Sequence, residues 1–176
     1  MASLNLDVGI GASPHTMRNW FALKGEIIGI DIRKDHRPEV LCDAHYLPFK
    51  DSIFDNVTAS EVLEHMIAPI KALNEWRRVL KQYGKLFVTV PNGAWFTTIV
   101  QVARRKKNPS LHPEHYSYWN YMELEKILKI SGFTVISTRF FTRGLTMGLL
   151  PKISFVCRRL VPSVFEANIM VISKKG

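Results

Sequence analysis

The sequence predicts an α/β domain with a mostly parallel sheet and helices on both of its faces. Three observations carry this prediction: strand-like and helix-like segments alternate, the first apolar run ends in a glycine turn, and the second ends in an acid. Strands are predicted near 4–8, 26–31, 39–42, 54–60, 84–90, 132–141 and 167–174, and helices near 14–23, 61–67, 69–81, 94–105 and 120–131. No repeat or low-complexity linker interrupts the series, so we expect residues 1–176 to form one domain.

The first strand runs into a turn that leaves the backbone bare. In the run Leu6-Asp7-Val8-Gly9-Ile10-Gly11, two glycines lie one residue apart directly after the apolar segment. Glycine permits a sharp turn and lets a ligand lie against the main chain. Ser13 and Pro14 then have the N-cap and first-turn character of a helix start, whose N–H groups suit an anionic group. An ordinary tight turn is the alternative interpretation.

The second strand ends in a carboxylate. The run Glu26-Ile27-Ile28-Gly29-Ile30-Asp31 follows the first strand at the distance of one strand-helix-strand unit. Nucleotide-binding folds hold a ribose with an acid at this place, because one carboxylate accepts hydrogen bonds from both ribose hydroxyls. Dinucleotide enzymes share this arrangement, so the two segments alone leave the kind of nucleotide open.

Two of the predicted helices have detailed support. In 69–81 the apolar residues that recur at three-to-four spacing are Ile70, Leu73, Trp76, Val79 and Leu80. Gly84 is expected to close the turn after that helix. In 120–131, Asn120 and Glu123 have the spacing of a capping box.

The composition excludes several classes of protein. Hydrophobic residues make up 47% of the 176 residues, which is ordinary for a globular protein. No apolar run reaches the roughly 20 residues of a membrane span, and no charged-then-apolar leader opens the chain. Cys42 and Cys157 form no metal or redox motif, so we expect reduced cysteines and a cytoplasmic location.

The positive charge lies in the second half of the chain. Residues 1–90 contain 11 basic and 11 acidic residues, whereas residues 91–176 contain 13 basic and 4 acidic residues, which gives +9. Arg104-Arg105-Lys106-Lys107 and the basic, apolar segment 142–166 could contact nucleic acid or an anionic membrane surface. A solvated helix end and a crossover helix to the last strand are the alternatives.

An ordered series of short motifs resembles class I S-adenosylmethionine-dependent methyltransferases, in the branch that includes quinone-biosynthesis methyltransferases. The resemblance covers about residues 4–135. Its motifs are Leu6-Asp7-Val8-Gly9-Ile10-Gly11, Ile30-Asp31, Cys42-Asp43-Ala44, Phe54-Asp55, Glu61-Val62-Leu63-Glu64-His65, Arg78-Val79-Leu80, Gly84-Lys85-Leu86 and Val90-Pro91-Asn92. The chain departs from the family at Ser13, where a third glycine is frequent, and it begins almost on its first strand, so we expect no N-terminal lid.

The resemblance implies a Rossmann-like doubly wound sheet of seven strands, mostly parallel with an antiparallel last strand. It also implies S-adenosyl-L-methionine as cofactor and S-adenosyl-L-homocysteine as product. In that reading Asp7, Gly9 and Gly11 surround the methionine part, Asp31 holds the ribose, Asp43 and Ala44 bind the adenine edge, and Ser60 and Glu61 line the methionine side. Ile32 is also expected among the cofactor-binding residues.

The predicted catalytic residues are His65, His115 and Tyr116. The segment from His112 to Trp119 carries two histidines and three aromatics, which provide a possible general base and a stacking surface for a planar acceptor. A loop whose aromatics cover the edge of the core is the alternative. Glu61, Glu64 and His65 also resemble a set that binds a divalent cation in some quinone O-methyltransferases; we expect a helix-start acid pair and no metal.

These predictions combine into methyl transfer to an unidentified small-molecule acceptor. Two alternatives stay open: an RNA or protein methyltransferase that uses the basic half of the chain, and a non-catalytic cofactor-binding protein.

Overall fold

The computed structural model describes residues 2–12, 23–96, 114–142 and 159–176, and they contain one seven-stranded sheet of order β3-β2-β1-β4-β5-β7-β6. The strands are β1 Leu4–Val8, β2 Glu26–Asp31, β3 Val40–Leu41, β4 Phe54–Ser60, β5 Leu80–Pro91, β6 Phe133–Phe141 and β7 Asn168–Lys175. Neighbouring strands from β3 to β5 are parallel, and β7 is antiparallel to both β5 and β6. The predicted sheet, with its antiparallel last strand, is confirmed.

The described helices are α1 Pro69–Val79, α2 Tyr121–Ile130 and α3 Pro162–Phe165, and short 3-10 turns cover Lys34–His36 and Leu63–His65. The capping box of α2 is confirmed, because the Glu123 N–H donates to Asn120 Oδ1 at 3.0 Å and the Asn120 N–H donates to Glu123 Oε2 at 3.4 Å. Of the predicted helices 14–23 and 94–105, only residues 23 and 94–96 are among the described residues. Also outside the described residues are Ser13, Pro14, Arg104–Lys107 and the segment 143–158, which includes Cys157.

The predicted helix over 61–67 is wrong. Glu61 has a left-handed φ of 56°, and only Leu63–His65 form a 3-10 turn. The Glu61 N–H donates to the Thr89 carbonyl at 2.9 Å, which holds this residue against β5, and its left-handed φ keeps it out of a helical turn. Glu61 and Glu64 therefore do not share a helical face.

The helix predicted over 69–81 ends two residues early, at Val79. Leu80 pairs with Phe54 across the sheet and begins β5, which also contains Gly84 instead of a turn at that residue. The buried face of α1 is Ala72, Leu73, Trp76 and Val79, whereas Ile70 is 45% exposed. Burial of Trp76 and Leu73 holds α1 against the sheet beside β4 and β5, and so fixes the loop that precedes this helix.

The parallel strands β1, β2 and β4 end at the same edge of the sheet, at Val8, Asp31 and Ser60. In open α/β sheets this edge is where ligands bind. None of the helices in the described ranges has the length and apolar character needed to cross a lipid bilayer.

Candidate functional site

A cavity of about 460 Å³ opens at the carboxyl ends of the parallel strands. Its volume lies in the range of cavities that hold small ligands. The wall is made by the ends of β1, β2 and β4, the loop after β3, and a segment at Glu114 and Tyr116. Most of the predicted cofactor residues line it: Gly9, Gly11, Asp31, Ile32, Asp43, Ala44 and Glu61.

The loop after β1 places bare backbone along the cavity. Gly9 and Gly11 have left-handed φ angles of 66° and 61°. The Gly9 N–H donates to the Ile30 carbonyl at 2.8 Å, which ties the loop to the end of β2. A Cβ at Gly9 would lie 2.5 Å from Val62 Cγ2, whereas one at Gly11 would meet no atom of the described residues within 4 Å. The predicted need for glycine at this turn therefore has a steric cause as well as a conformational one.

We expect Gly9→Ala to destabilise the fold more than Gly11→Ala. Both substitutions force an L-residue into the left-handed region, at a cost of about 1–2 kcal/mol. Only the alanine at Gly9 also collides with Val62, which is buried. Urea unfolding of the two variants measures the difference, and equal unfolding free energies would contradict the steric argument.

Asp31 is a buried carboxylate held by three hydrogen-bond donors. Its Oδ2 accepts from the Gly11 N–H at 3.0 Å and from His36 Nδ1 at 2.9 Å, and its Oδ1 accepts from the Arg33 N–H at 2.9 Å. Burial by itself raises the pKa of Asp31, but the bonds from His36, Arg33 and Gly11 outweigh it and lower that pKa. The group is therefore ionised at neutral pH and oriented before any ligand arrives.

Asp43 is held in a similar way in the loop after β3. Its Oδ1 accepts from the His45 N–H at 2.8 Å and from His45 Nδ1 at 2.7 Å. Desolvation raises the pKa of Asp43, and the two bonds from His45 bring it below its ordinary value. The neighbouring Ala44 carbonyl accepts from Trp76 Nε1 at 3.2 Å, so this buried tryptophan of α1 holds the loop in place.

Two predicted residues lie behind the cavity wall and do not line it. Asp7 is 4% exposed, and its Oδ1 accepts from Thr58 Oγ1 on β4 at 2.7 Å. Ser60 Oγ lies 2.9 Å from Thr89 Oγ1, which in turn donates to Glu61 Oε1 at 2.9 Å. Because the single Thr89 hydroxyl proton goes to the carboxylate, Ser60 is the donor to Thr89. Glu61 is thus oriented toward the cavity by a chain of two hydroxyls.

The predicted catalytic residues come together at the other end of the cavity. His65 and Tyr116 line it, and the His115 ring packs edge-to-face on His65 with centroids 4.7 Å apart. His65 Nδ1 lies 3.1 Å from the Glu114 carbonyl oxygen and donates its proton to it, because a carbonyl can only accept. The Tyr116 and Ser117 N–H groups donate to the Glu64 carbonyl at 2.8 and 3.2 Å, so they dock this segment on the turn after β4.

Behind these histidines lies a buried carboxyl group. Glu64 is 1% exposed, and neither of its oxygens has a hydrogen-bond partner among the described residues. Desolvation, and secondarily the charge of Glu61, raises the pKa of Glu64 well above its ordinary value. Potential metal-binding atoms of Glu64, His65 and His115 lie within 4.8 Å of one another. The sequence pattern suggested Glu61 as the third member of such a set, whereas the folded chain supplies His115.

Comparison with known proteins agrees with this geometry. A family model described as a methyltransferase domain matches residues 6–88, which include the glycine loop, Asp31, Asp43 and Glu61. Residues 6–88, a little under half of the chain, are similar to a methyltransferase domain. The resemblance to class I S-adenosylmethionine-dependent methyltransferases is thereby confirmed.

The chain is similar to proteins of known name and structure. It is similar to the ubiquinone/menaquinone biosynthesis C-methyltransferase UbiE of Paraburkholderia phymatum, with 45% identity over 58 residues, 33% of this chain and 24% of that protein. A SAM-dependent methyltransferase from Archaeoglobus fulgidus has the same fold, with a TM-score of 0.71 and 20% identity over 98% of this chain and 86% of that chain. Haemonchus contortus phosphoethanolamine N-methyltransferase 2, in complex with S-adenosyl-L-methionine, also has this fold. Its TM-score is 0.64, and the identity is 17% over 99% of this chain and 49% of that chain.

The curated relatives are much longer than the matching segments. The first three matches cover 20%, 30% and 24% of the relatives' lengths. The family match ends at residue 88, before the segment that carries His115 and Tyr116. The likeness therefore concerns the part of the chain that surrounds Asp31 and Asp43.

Sequence reasoning missed two histidines of this site. His36 and His45 both line the cavity, and each holds one of the two predicted carboxylates. They could have been predicted from a histidine that follows an aspartate within a short loop, because the histidine side chain can reach back to the carboxylate.

Proposed function

We propose that the protein transfers a methyl group from S-adenosyl-L-methionine to a small-molecule acceptor. The observation that carries the proposal is the pair of oriented carboxylates, Asp31 and Asp43, on one cavity with a glycine loop. When bound, the cofactor supplies a methyl group on a sulfonium sulfur, so the protein mainly has to align the reactants.

The residues of the cavity fit this cofactor. Asp31 Oδ1, which among the described residues accepts only the Arg33 N–H, has an acceptor site left for a ribose hydroxyl, and Asp43 Oδ2 provides an acceptor for the exocyclic amine of adenine. The side chain of Ile32 is 70% exposed at the cavity wall, which suits contact with a flat, apolar face. The bare backbone at Gly9 and Gly11, together with Glu61 in the wall of the same cavity, suits the charged methionine end.

We assign the acceptor end to His65 and Tyr116, with His115 packed against His65. The His65 tautomer that donates from Nδ1 leaves Nε2 as the basic nitrogen, which suits a general base for an acceptor with an acidic proton. Tyr116, at 65% exposure, offers a ring surface to a planar acceptor.

Calorimetry with S-adenosyl-L-homocysteine, followed by assays of its release from S-adenosyl-L-methionine with candidate acceptors, tests the proposal. We expect binding and acceptor-dependent release, and we expect His65→Gln to lower kcat by about a hundredfold with an unchanged cofactor Kd. Asn74→Asp, an exposed change on α1, is a surface control. Absence of binding would refute the proposal, and binding without turnover would favour the non-catalytic alternative.

A second candidate acceptor is RNA, because residues 91–176 carry the whole net charge of +9. That reading requires RNA affinity that falls steeply with salt, since phosphate contacts release counterions. A gel shift at two salt concentrations separates it from the small-molecule proposal, under which RNA binding is absent or insensitive to salt. A cytoplasmic location belongs to both proposals.

A further inference from the structure

We propose that His45 makes this site specific for an adenine base, because it occupies one oxygen of Asp43 and leaves the other to accept from the exocyclic amine. The inference rests on the proposed function and concerns a residue outside the predicted cofactor set. His45 lines the same cavity as Asp43, and its side chain is only 14% exposed.

The bonds from His45 converge on a single oxygen. Asp43 Oδ1 accepts from the His45 backbone N–H at 2.8 Å and from His45 Nδ1 at 2.7 Å. Two donors on one oxygen fix the rotation of the carboxylate, so Oδ2 is held in one direction. A carboxylate that is free to rotate could present either oxygen. It would therefore adapt more easily to a base whose hydrogen-bond donors and acceptors are arranged differently.

The second ring nitrogen of His45 fixes its tautomer. The Ala68 N–H donates to His45 Nε2 at 3.4 Å, which is long for a hydrogen bond but requires a lone pair on Nε2. The proton of the neutral ring therefore lies on Nδ1, where it is donated to Asp43. Ala68 directly precedes α1, and Met66 and Ile67 beside it line the cavity. His45 thus connects the carboxylate to a wall of the site.

This arrangement distinguishes an amine from a carbonyl on the base. An ionised carboxylate oxygen accepts a hydrogen bond from the 6-amino group of adenine, whereas hypoxanthine presents an acceptor oxygen at position 6 and carries the donor of that edge at N1 instead. A fixed Oδ2 cannot turn away from that oxygen. We therefore expect wild-type protein to prefer S-adenosyl-L-homocysteine over S-inosyl-L-homocysteine by at least about tenfold.

Two substitutions of His45 distinguish its hydrogen bond to Asp43 from its hydrogen bond with Ala68. His45→Asn puts an amide nitrogen at the position of Nδ1, so it keeps the donor to Asp43 and loses the contact with Ala68. His45→Gln reaches the position of Nε2, so it keeps an acceptor for Ala68 and loses the donor. Calorimetry gives the Kd of each variant for the two nucleosides, and thermal unfolding reports on its fold.

We expect His45→Asn to keep the preference for the adenine nucleoside within about threefold, and His45→Gln to lose most of it. His36→Gln is the matched control: it removes the Nδ1 donor to Asp31, as His45→Gln does at Asp43, so it should weaken both nucleosides alike and leave their ratio unchanged. Any other pattern in the two His45 variants, including loss of the preference in both, would overturn the inference. Failure of the wild-type protein to bind S-adenosyl-L-homocysteine would instead refute the proposed function.

Discussion

Replacing Asp31 with alanine is expected to weaken the binding of S-adenosyl-L-homocysteine by about tenfold or more. Asp31 is 7% exposed, is held by three donors, and has a lowered pKa, so it presents a fixed negative charge to the cavity. A charge-assisted hydrogen bond contributes about 1.5–3 kcal/mol, and a ribose offers two hydroxyls to this carboxylate. Loss of even one such bond accounts for a tenfold change.

The same loop offers a matched control. Asp35 carries the same charge four positions later, but its side chain is 63% exposed and pairs with Arg33 at the surface at 2.7 Å. Asp35→Ala therefore removes one negative charge beside the cavity without removing a group from its wall. We expect it to leave the nucleoside affinity within about twofold of wild type, since an exposed ion pair contributes little.

Calorimetry on wild type, Asp31→Ala and Asp35→Ala, at one ionic strength, measures both effects. Asp31→Asn adds a variant of the same shape that keeps one carbonyl acceptor, and it should fall between alanine and wild type. Unchanged affinity in Asp31→Ala would contradict the assignment of this carboxylate to the ribose. Equal losses in Asp31→Ala and Asp35→Ala would show that only the net charge of the loop matters.

The cofactor side of the cavity could be predicted because its residues follow directly from strand ends. Gly9, Gly11 and Asp31 lie at the carboxyl ends of β1 and β2, and parallel strands bring those ends together in any sheet of this kind. The order and direction of the strands thus convert three positions in the sequence into neighbours in space. Asp43 could be placed for the same reason, after β3.

The turn after β4 could not be predicted from its pattern. Glu61, Glu64 and His65 have the spacing of a helical face, but the backbone bond from Glu61 to Thr89 ties this segment to a strand 28 residues away in the chain. Helical spacing reports on local preference, and a bond between distant segments overrides it. The contact between His65 and His115 is non-local in the same sense, since it depends on where the segment at Glu114 docks.

The roles of the histidines that hold Asp31 and Asp43 could not be predicted for a different reason. His36 and His45 are close to their carboxylates in the sequence, so the contact itself is local. The sequence does not indicate how the histidine ring is oriented. At His45 this orientation is set by Ala68, at the start of α1. The role of each histidine therefore depends on packing that only the folded chain supplies.

Replacing Glu64 with glutamine is expected to raise stability at alkaline pH and to leave it almost unchanged in mild acid. Glu64 is buried with no hydrogen-bond partner for its oxygens among the described residues, and desolvation raises its pKa well above the ordinary 4.5. The folded state therefore holds a proton that the unfolded chain releases above that value. Stability conferred by this group is complete below pH 4.5 and is lost as the pH rises toward the pKa of the folded state.

The glutamine side chain has a similar shape and cannot ionise, so the variant avoids this loss. We expect it to match wild type at about pH 5 and to gain on it by up to about 1.4 kcal/mol for each further pH unit, until the pH passes the pKa of Glu64 in the folded state. Urea unfolding across this pH range measures the difference.

Glu75→Gln is the matched control because its environment has the opposite effect. The hydrogen bond from Arg78, at 2.8 Å, lowers the pKa of Glu75, so its contribution to stability is present at neutral pH and is lost on acidification. We expect Glu75→Gln to destabilise the protein at neutral pH, and the penalty to shrink in acid. If Glu64→Gln behaved like Glu75→Gln, Glu64 would be ionised and stabilised in the folded protein, and its assignment as a neutral, buried acid behind His65 would be wrong.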